Sequence, residues 1–309
     1  VEKKLNDLID KALSRRQFMA GAGTTAAAVL VAGCNNSTPA PTTTPTPTPT
    51  PLDIPDNDIL NFALNLEYLE AEFYLYAATG TGLSSTDALS GAGTTIVPQN
   101  IAAVPWSSTS FQQYANEIAQ DELDHVRAIQ AAITANKGTP VARPALDLTF
   151  FAKLAVAAGI TTPANFNPFT DTNSFLLGAF IFEDVGVTAY TGAAPLISST
   201  AILSAAAGIQ AVEAYHASEI RTLLVASAGP TYVALANQVS ALRATLGGGK
   251  ETQLSSTSIV AADPTTSIAY ARTTDEVLHI VYGAAGGAGV TKGGFFPNGL
   301  NGTISATAS

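Results

Sequence analysis

Histidine and cysteine are nearly absent from this sequence: three histidines and one cysteine occur in 309 residues. A lone cysteine, Cys34, excludes an intrachain disulfide. Charge is scarce as well. Charged residues make up 12% of the chain, with 14 Lys and Arg against 24 Asp and Glu. The formal charge of -10 is offset by no basic patch, which argues against nucleic acid or an anionic membrane surface as an electrostatic partner. Two common catalytic signatures are missing. "GGGKE" at 247 to 251 lacks the spacing and the Ser/Thr of a phosphate-binding loop, and no Gly-x-Ser-x-Gly elbow occurs. What is plentiful is apolar sequence, 47% of the chain, enough for one large core or two modest ones.

The first 34 residues read as an address. "SRRQFMAGAGTTAAAVLVAGC" opens with Arg15 and Arg16 and continues as an Ala/Gly-rich apolar stretch, Ala20 to Val31, too short to span a bilayer. It looks like a bacterial twin-arginine export signal. Its end, Val31-Ala32-Gly33-Cys34, resembles a lipoprotein processing site, at which Cys34 is lipidated and becomes the mature N-terminus; the alternative is an ordinary cleaved signal with an incidental cysteine. This predicts export to the periplasm or cell envelope and a membrane as partner through the lipid. Residues 35–55, with alternating Thr and Pro, can form neither a helix nor a central strand and read as an extended solvated spacer. The folded part is expected to start near Asp56.

From there the apolar spacing is helical. A first helix opens with Asp56 or Asp58 as N-cap and ends at Gly80. A second runs from about Ser110 to Ala135. A connection with several prolines, 138 to 172, contains a short helix from Leu148 to Ala158. A third helix covers about Asn173 to Ala193, and a fourth about Thr200 to Ala228, stopping at Gly229-Pro230. Further helical stretches are Tyr232 to Leu246 and Thr274 to Tyr282. Four long helices with a long link between the second and third predict an all-α, four-helix bundle with one long crossover over residues 56–229. A helical and irregular extension, 230–309, is expected to pack on it.

Two of the three histidines share one context. His125 follows Glu122 by three residues in "QDELDHVRAIQ", and His216 follows Glu213 by three in "VEAYHASEI". Residues three apart share a helix face, so each pair can reach one interior point. The other two long helices carry Glu67 and Glu183, each seven residues before a tyrosine, Tyr74 and Tyr190, and a spacing of seven returns to nearly the same face. The chain therefore reads twice as Glu-x6-Tyr followed by Glu-x2-His, a weak repeat of two helical hairpins. Four carboxylates and two imidazoles are the donor set for two divalent ions, with carboxylates bridging and one imidazole on each ion. Metal would also offset the cost of burying those carboxylates among apolar helices. The predicted ligands are Glu67, Glu122, His125, Glu183, Glu213 and His216. Glu70 and Glu219, each near the same faces, are candidate additional ligands. Asp121, Tyr74 and Tyr190 are candidates to hold the ligands in place. His279 falls outside the repeat and reads as structural.

"LNFALNLEYLEAEFYLYA", "DELDHV", "FEDVGVTAY", "VEAYHASEIR" and the tail "GGFFPNGLNGTI" resemble the ferritin-like domain family that includes plant desiccation-related proteins. The resemblance covers about residues 56 to 305. It implies a ferritin-like bundle and carries the same six ligands. Asp121 resembles the aspartate of the Asp-Glu-x2-His motif in di-iron oxygenases and reductases, with Val212 at the matching place on the fourth helix. Wider relatives with this ligand set are rubrerythrin, bacterioferritin and manganese catalase. The lipid tether, the spacer and the C-terminal extension depart from the cage-forming ferritin pattern; a homo-oligomer is compatible with the fold.

Two functions follow as expectations. One is a redox enzyme with two iron ions, or alternatively manganese, that consumes O2 or peroxide in protection against oxidative or desiccation stress. The other is a non-catalytic structural or protective envelope protein in which metal is a fold staple or vestigial.

Overall fold

The computed structural model describes residues 54–161 and 165–309. The stretch expected to be an export signal, Cys34 and the Thr/Pro-rich segment as far as residue 53 lie outside the described residues. Among the described residues the chain is all-α apart from two-residue strands. In order it forms α1 (Asp56–Thr79), α2 (Ser85–Ala88), β1 (Thr95–Ile96), α3 (Thr109–Ala135), β2 (Leu146–Asp147), α4 (Phe150–Ala157), α5 (Thr172–Ala193), α6 (Thr200–Leu223), α7 (Gly229–Leu246) and α8 (Thr274–Tyr282). β1 and β2 pair in parallel, Thr95 opposite Leu146. The bundle is α1, α3, α5 and α6. α1 packs closely on α3 and α5 on α6, while the two hairpins meet more loosely.

Local signals set most helix ends. Ser108, Asp171 and Ser199 cap α3, α5 and α6, their side chains accepting from the N–H groups of Phe111, Ser174 and Ile202. Gly80, at φ 76°, closes α1 in the left-handed conformation that glycine adopts cheaply. Two ends differ from the sequence reading. The N-cap of α1 is Pro55, not Asp56 or Asp58. The Asp56 carboxylate instead accepts from the backbone N–H groups of Ser198 (2.8 Å) and Ser199 (2.9 Å), tying the start of α1 to the start of α6. The fourth long helix keeps α geometry only to Leu223. It widens to a π turn over Leu224–Ala228 and breaks at Gly229, φ 82°, with Pro230 in the first turn of α7.

α5 is apolar on nearly every side because it is the central helix: Phe175 to Ala189 are all buried. Its Phe182 belongs to a four-ring cluster with Phe73 of α1, Phe151 of α4 and Phe295 near the C-terminus. Ring centroids in this cluster lie 4.9 to 5.4 Å apart. Each such ring, fully buried, contributes about 1.5–3 kcal/mol. Crossover, bundle and residues beyond 230 thus share one core. His279 sits apart from the bundle interior, its ring nitrogens 2.8 Å and 3.0 Å from the carbonyls of Ala284 and Ser309.

Candidate metal centre

The four bundle helices each turn at least one glutamate inward, and the two Glu-x2-His pairs converge there. Glu67, Glu122, Glu183 and Glu213 are buried, with both histidines nearly so. The donor atoms fall into two groups, Glu67, Glu122, His125 and Glu213 in one, Glu122, Glu183 and His216 in the other. Within each group they lie within 4.8 Å of one another. His125 Nδ1 is 3.3 Å from Glu67, 3.5 Å from Glu122 and 3.4 Å from Glu213. His216 Nδ1 is 3.0 Å from Glu122 and 3.7 Å from Glu183. Glu122 belongs to both groups, one carboxylate oxygen turned to each histidine, and would be shared by two ions held there.

The outer atoms of the ligands are held and the inner ones are not. Tyr74 on α1 donates its O–H to Glu183 on α5, and Tyr190 on α5 donates to Glu67 on α1. This exchange across the bundle is what the repeated Glu-x6-Tyr spacing produces. Asp121 on α3 lies 3.1 Å from His216 Nε2 on α6 and fixes that ring with Nδ1 inward. The matching position for His125 is Val212, so the two halves differ in this support. Facing inward, Glu67 Oε2, both oxygens of Glu122 and of Glu213, Glu183 Oε2 and the Nδ1 atoms of both histidines are buried without a hydrogen-bond partner. Buried polar atoms are rarely orphaned. Eight at one point, all lone-pair donors on carboxylates and imidazoles, fit a pair of divalent ions. Glu70 and Glu219 join neither ligand group. Glu70 is buried beside the centre, whereas Glu219 is half-exposed near Glu117.

The electrostatics of the metal-free protein follow from this crowding. Burial, foremost, raises Glu67, Glu70 and Glu213, and neighbouring carboxylates add to the effect. Burial also lifts Glu183 to about 8 despite the nearby His216. Glu122 is the exception: burial works against its charge, but the two histidines that face its oxygens hold it at about 2. Burial opposes a charged His216, yet Glu122 and Glu183 together carry it up to about 10. His125 is raised too, by Glu122, Glu213 and Glu67. The sign of the linkage follows. Glu183, raised from 4.5 to about 8, contributes stability that is present below the unfolded value and lost as pH rises through about 8. His216, raised from 6.5 to about 10, loses its contribution over the window up to about 10. Metal displaces these protons. The metal-free protein is therefore expected to melt at a lower temperature at pH 8 than at pH 5.5, and added metal to raise the melting temperature more at pH 8. Thermal scans at both pH values with and without metal check this; a metal-free melting temperature that climbs from pH 5.5 to pH 8 contradicts it.

A second buried cluster went unseen in the sequence. Arg221 of α6 and Arg243 of α7 both reach Asp184 Oδ2 at 2.7 Å. Arg243 and Arg272 grip Glu251, also at 2.7 Å each. All three arginines are at most 1% exposed. The signal was positional: Arg243 stands in the stripe Ala236, Val239, Arg243, Leu246, where helical spacing calls for an apolar residue.

An all-α bundle whose four helices bring two Glu-x2-His pairs and two further glutamates to one buried point defines the di-metal carboxylate class. Residues 55–226 match the family model for the ferritin-like domain. The chain belongs to the ferritin-like domain family. It is 35% identical over 209 residues to a desiccation-related protein, PCC13-62, of Craterostigma plantagineum, a match covering 63% of this chain and 64% of that protein. It is 31% identical over 279 residues to a ferritin-like catalase, Nec2, of Nesocodon mauritianus, covering 82% of this chain and 86% of that one.

Proposed function

We propose that the protein disproportionates hydrogen peroxide at a pair of iron or manganese ions, two molecules of peroxide giving two of water and one of dioxygen. The observation that carries this reading is the set of eight orphaned donor atoms facing one another around a shared Glu122. The name of the Nesocodon relative supports the choice of peroxide among the substrates such a centre could serve.

Carboxylate and imidazole donors suit iron and manganese alike. Glu67, Glu122, His125 and Glu213 would hold one ion, and Glu122, Glu183 and His216 the other. Bound there, the pair supplies the two-electron change that peroxide disproportionation requires. The protein residues do the rest. Tyr74 and Tyr190 keep one oxygen of each terminal glutamate engaged, so that the free oxygen points inward. Asp121 orients His216. The packed aromatic core around α5 keeps bulk water away, which protects reactive species from side reactions.

We further propose that the work is done at a bacterial cell envelope, with the twin-arginine pattern and Cys34 as support. One preparation tests both points. Cells producing the full chain or its Cys34→Ala variant are separated into membrane and soluble fractions, and each fraction is assayed for peroxide loss and for metal. The expected result is a membrane-borne, metal-dependent activity that becomes soluble, or fails to be processed, in the variant. An unchanged membrane fraction removes the lipid anchor. A fully loaded protein without peroxide turnover removes the catalytic reading and leaves the metal pair as a staple of the fold.

A further inference from the structure

The internal repeat is broken at one point that faces the metal pair. Three residues after Glu67, α1 carries Glu70; three residues after Glu183, α5 carries Gly186. These two positions meet across the bundle. A Cβ on residue 186 would lie 3.4 Å from Glu70 Oε1 and 2.6 Å from Glu213 Oε2. Glycine there makes room for the Glu213 carboxylate, which a larger residue would displace. Glu70 is buried, and its carboxyl makes no hydrogen bond to another described residue.

Two small cavities meet beside these residues. Both are lined by Leu66, Glu70 and Gly186. One, of about 20 Å³, runs under Phe295. The other, of about 30 Å³, passes Glu67 and Tyr190 and reaches the half-buried Ala63, Ala193 and Ile197. Apart from the two glutamates and the Tyr190 hydroxyl the walls are apolar, and they follow the seam between α1 of one hairpin and α5 of the other. Spaces of this size hold one or two molecules as small as water. A much larger cavity, of about 350 Å³, lies beyond α6 against Asp184, Tyr215 and Arg221, and touches none of the six ligands.

We propose that the cavity space lined by Leu66, Glu70 and Gly186 is the seat of the small substrate, reached along the α1–α5 seam, and that its size admits hydrogen peroxide or dioxygen and excludes alkyl hydroperoxides. Glu70 supplies the polar contact at the end of an otherwise apolar path. This rests on the peroxide reading above for the identity of the substrate, but the seat itself does not need metal to be observed.

The test has four parts. Crystals of the protein, loaded or metal-free, are pressurised with xenon, which is expected to bind in the seam beside Leu66. With ascorbate supplied as electron donor in both assays, the loaded protein is given hydrogen peroxide or tert-butyl hydroperoxide, each reduced by two electrons, and is expected to strongly prefer the former. Leu66→Ala widens the shared part of both cavities and should raise the ratio of kcat/KM for tert-butyl hydroperoxide over that for hydrogen peroxide by about tenfold or more. Glu70→Gln should keep the metal content of the parent and raise KM for peroxide. Xenon absent from the seam overturns the proposal whatever the activity. So does equal use of the two peroxides by the parent, or loss of an ion in Glu70→Gln, which would make Glu70 a ligand. Xenon in the seam without any peroxide turnover overturns the peroxide reading instead, so the two failures are told apart.

Discussion

Replacing Glu122 by alanine is expected to empty both metal positions at once. Among the described residues its two oxygens are the only donors that face both histidines, 3.5 Å from His125 Nδ1 and 3.0 Å from His216 Nδ1. Each group then loses its bridging oxygen, and the two histidines are left beside carboxylates that burial has already driven toward the neutral form. Glu67→Ala and Glu183→Ala remove a donor from one group each, so each should cost one ion, not two. Elemental analysis of the three variants after identical reconstitution reads this directly. A Glu122→Ala protein that keeps one full ion would show that the groups do not depend on a shared carboxylate.

Asp184→Ala is expected to destabilise the fold by about 3–5 kcal/mol. The carboxylate is buried and serves two buried guanidinium groups through a single oxygen. Removing it leaves Arg221 with backbone carbonyls only, those of Ile259 and Thr252, and no carboxylate. Arg243 keeps Glu251 but must share it with Arg272. An unpaired buried charge is far more costly than a lost surface pair, which is worth about 0–1 kcal/mol. Against a typical stability of about 5–15 kcal/mol, the loss should be plain in urea unfolding midpoints. Asp184→Asn retains an acceptor and should cost less. A loss below about 1 kcal/mol would mean that the arginines find other partners.

The repeat made the centre legible in the sequence. Spacings of three and seven are helical constants, so Glu122 with His125, Glu213 with His216, and the two Glu–Tyr pairs could be placed on inward faces without knowing how the helices meet. Pairings that depend on which helices are neighbours were not legible. Asp121 was placed near the centre, but that it holds His216 of the other hairpin is a fact of packing. The same holds for the crossing tyrosines and for Asp184, which looked like any residue beside a ligand until α6 and α7 brought two arginines to it. Asp56 misled because an acidic first-turn residue reads as a cap; its carboxylate was claimed by backbone N–H groups at Ser198 and Ser199, 142 and 143 residues away. Gly186 carried no signal at all, since a missing side chain matters only once its neighbours are known.

The central claim is that this bundle holds two ions bridged by Glu122, and diffraction from crystals of the loaded protein, collected across the absorption edge of the bound metal, tests it most directly. The account predicts two anomalous peaks inside the bundle, one in contact with Glu67, Glu122, Glu213 and His125 Nδ1, the other with Glu122, Glu183 and His216 Nδ1. A single peak, or peaks only at surface carboxylates such as Glu117 and Glu219, would contradict it.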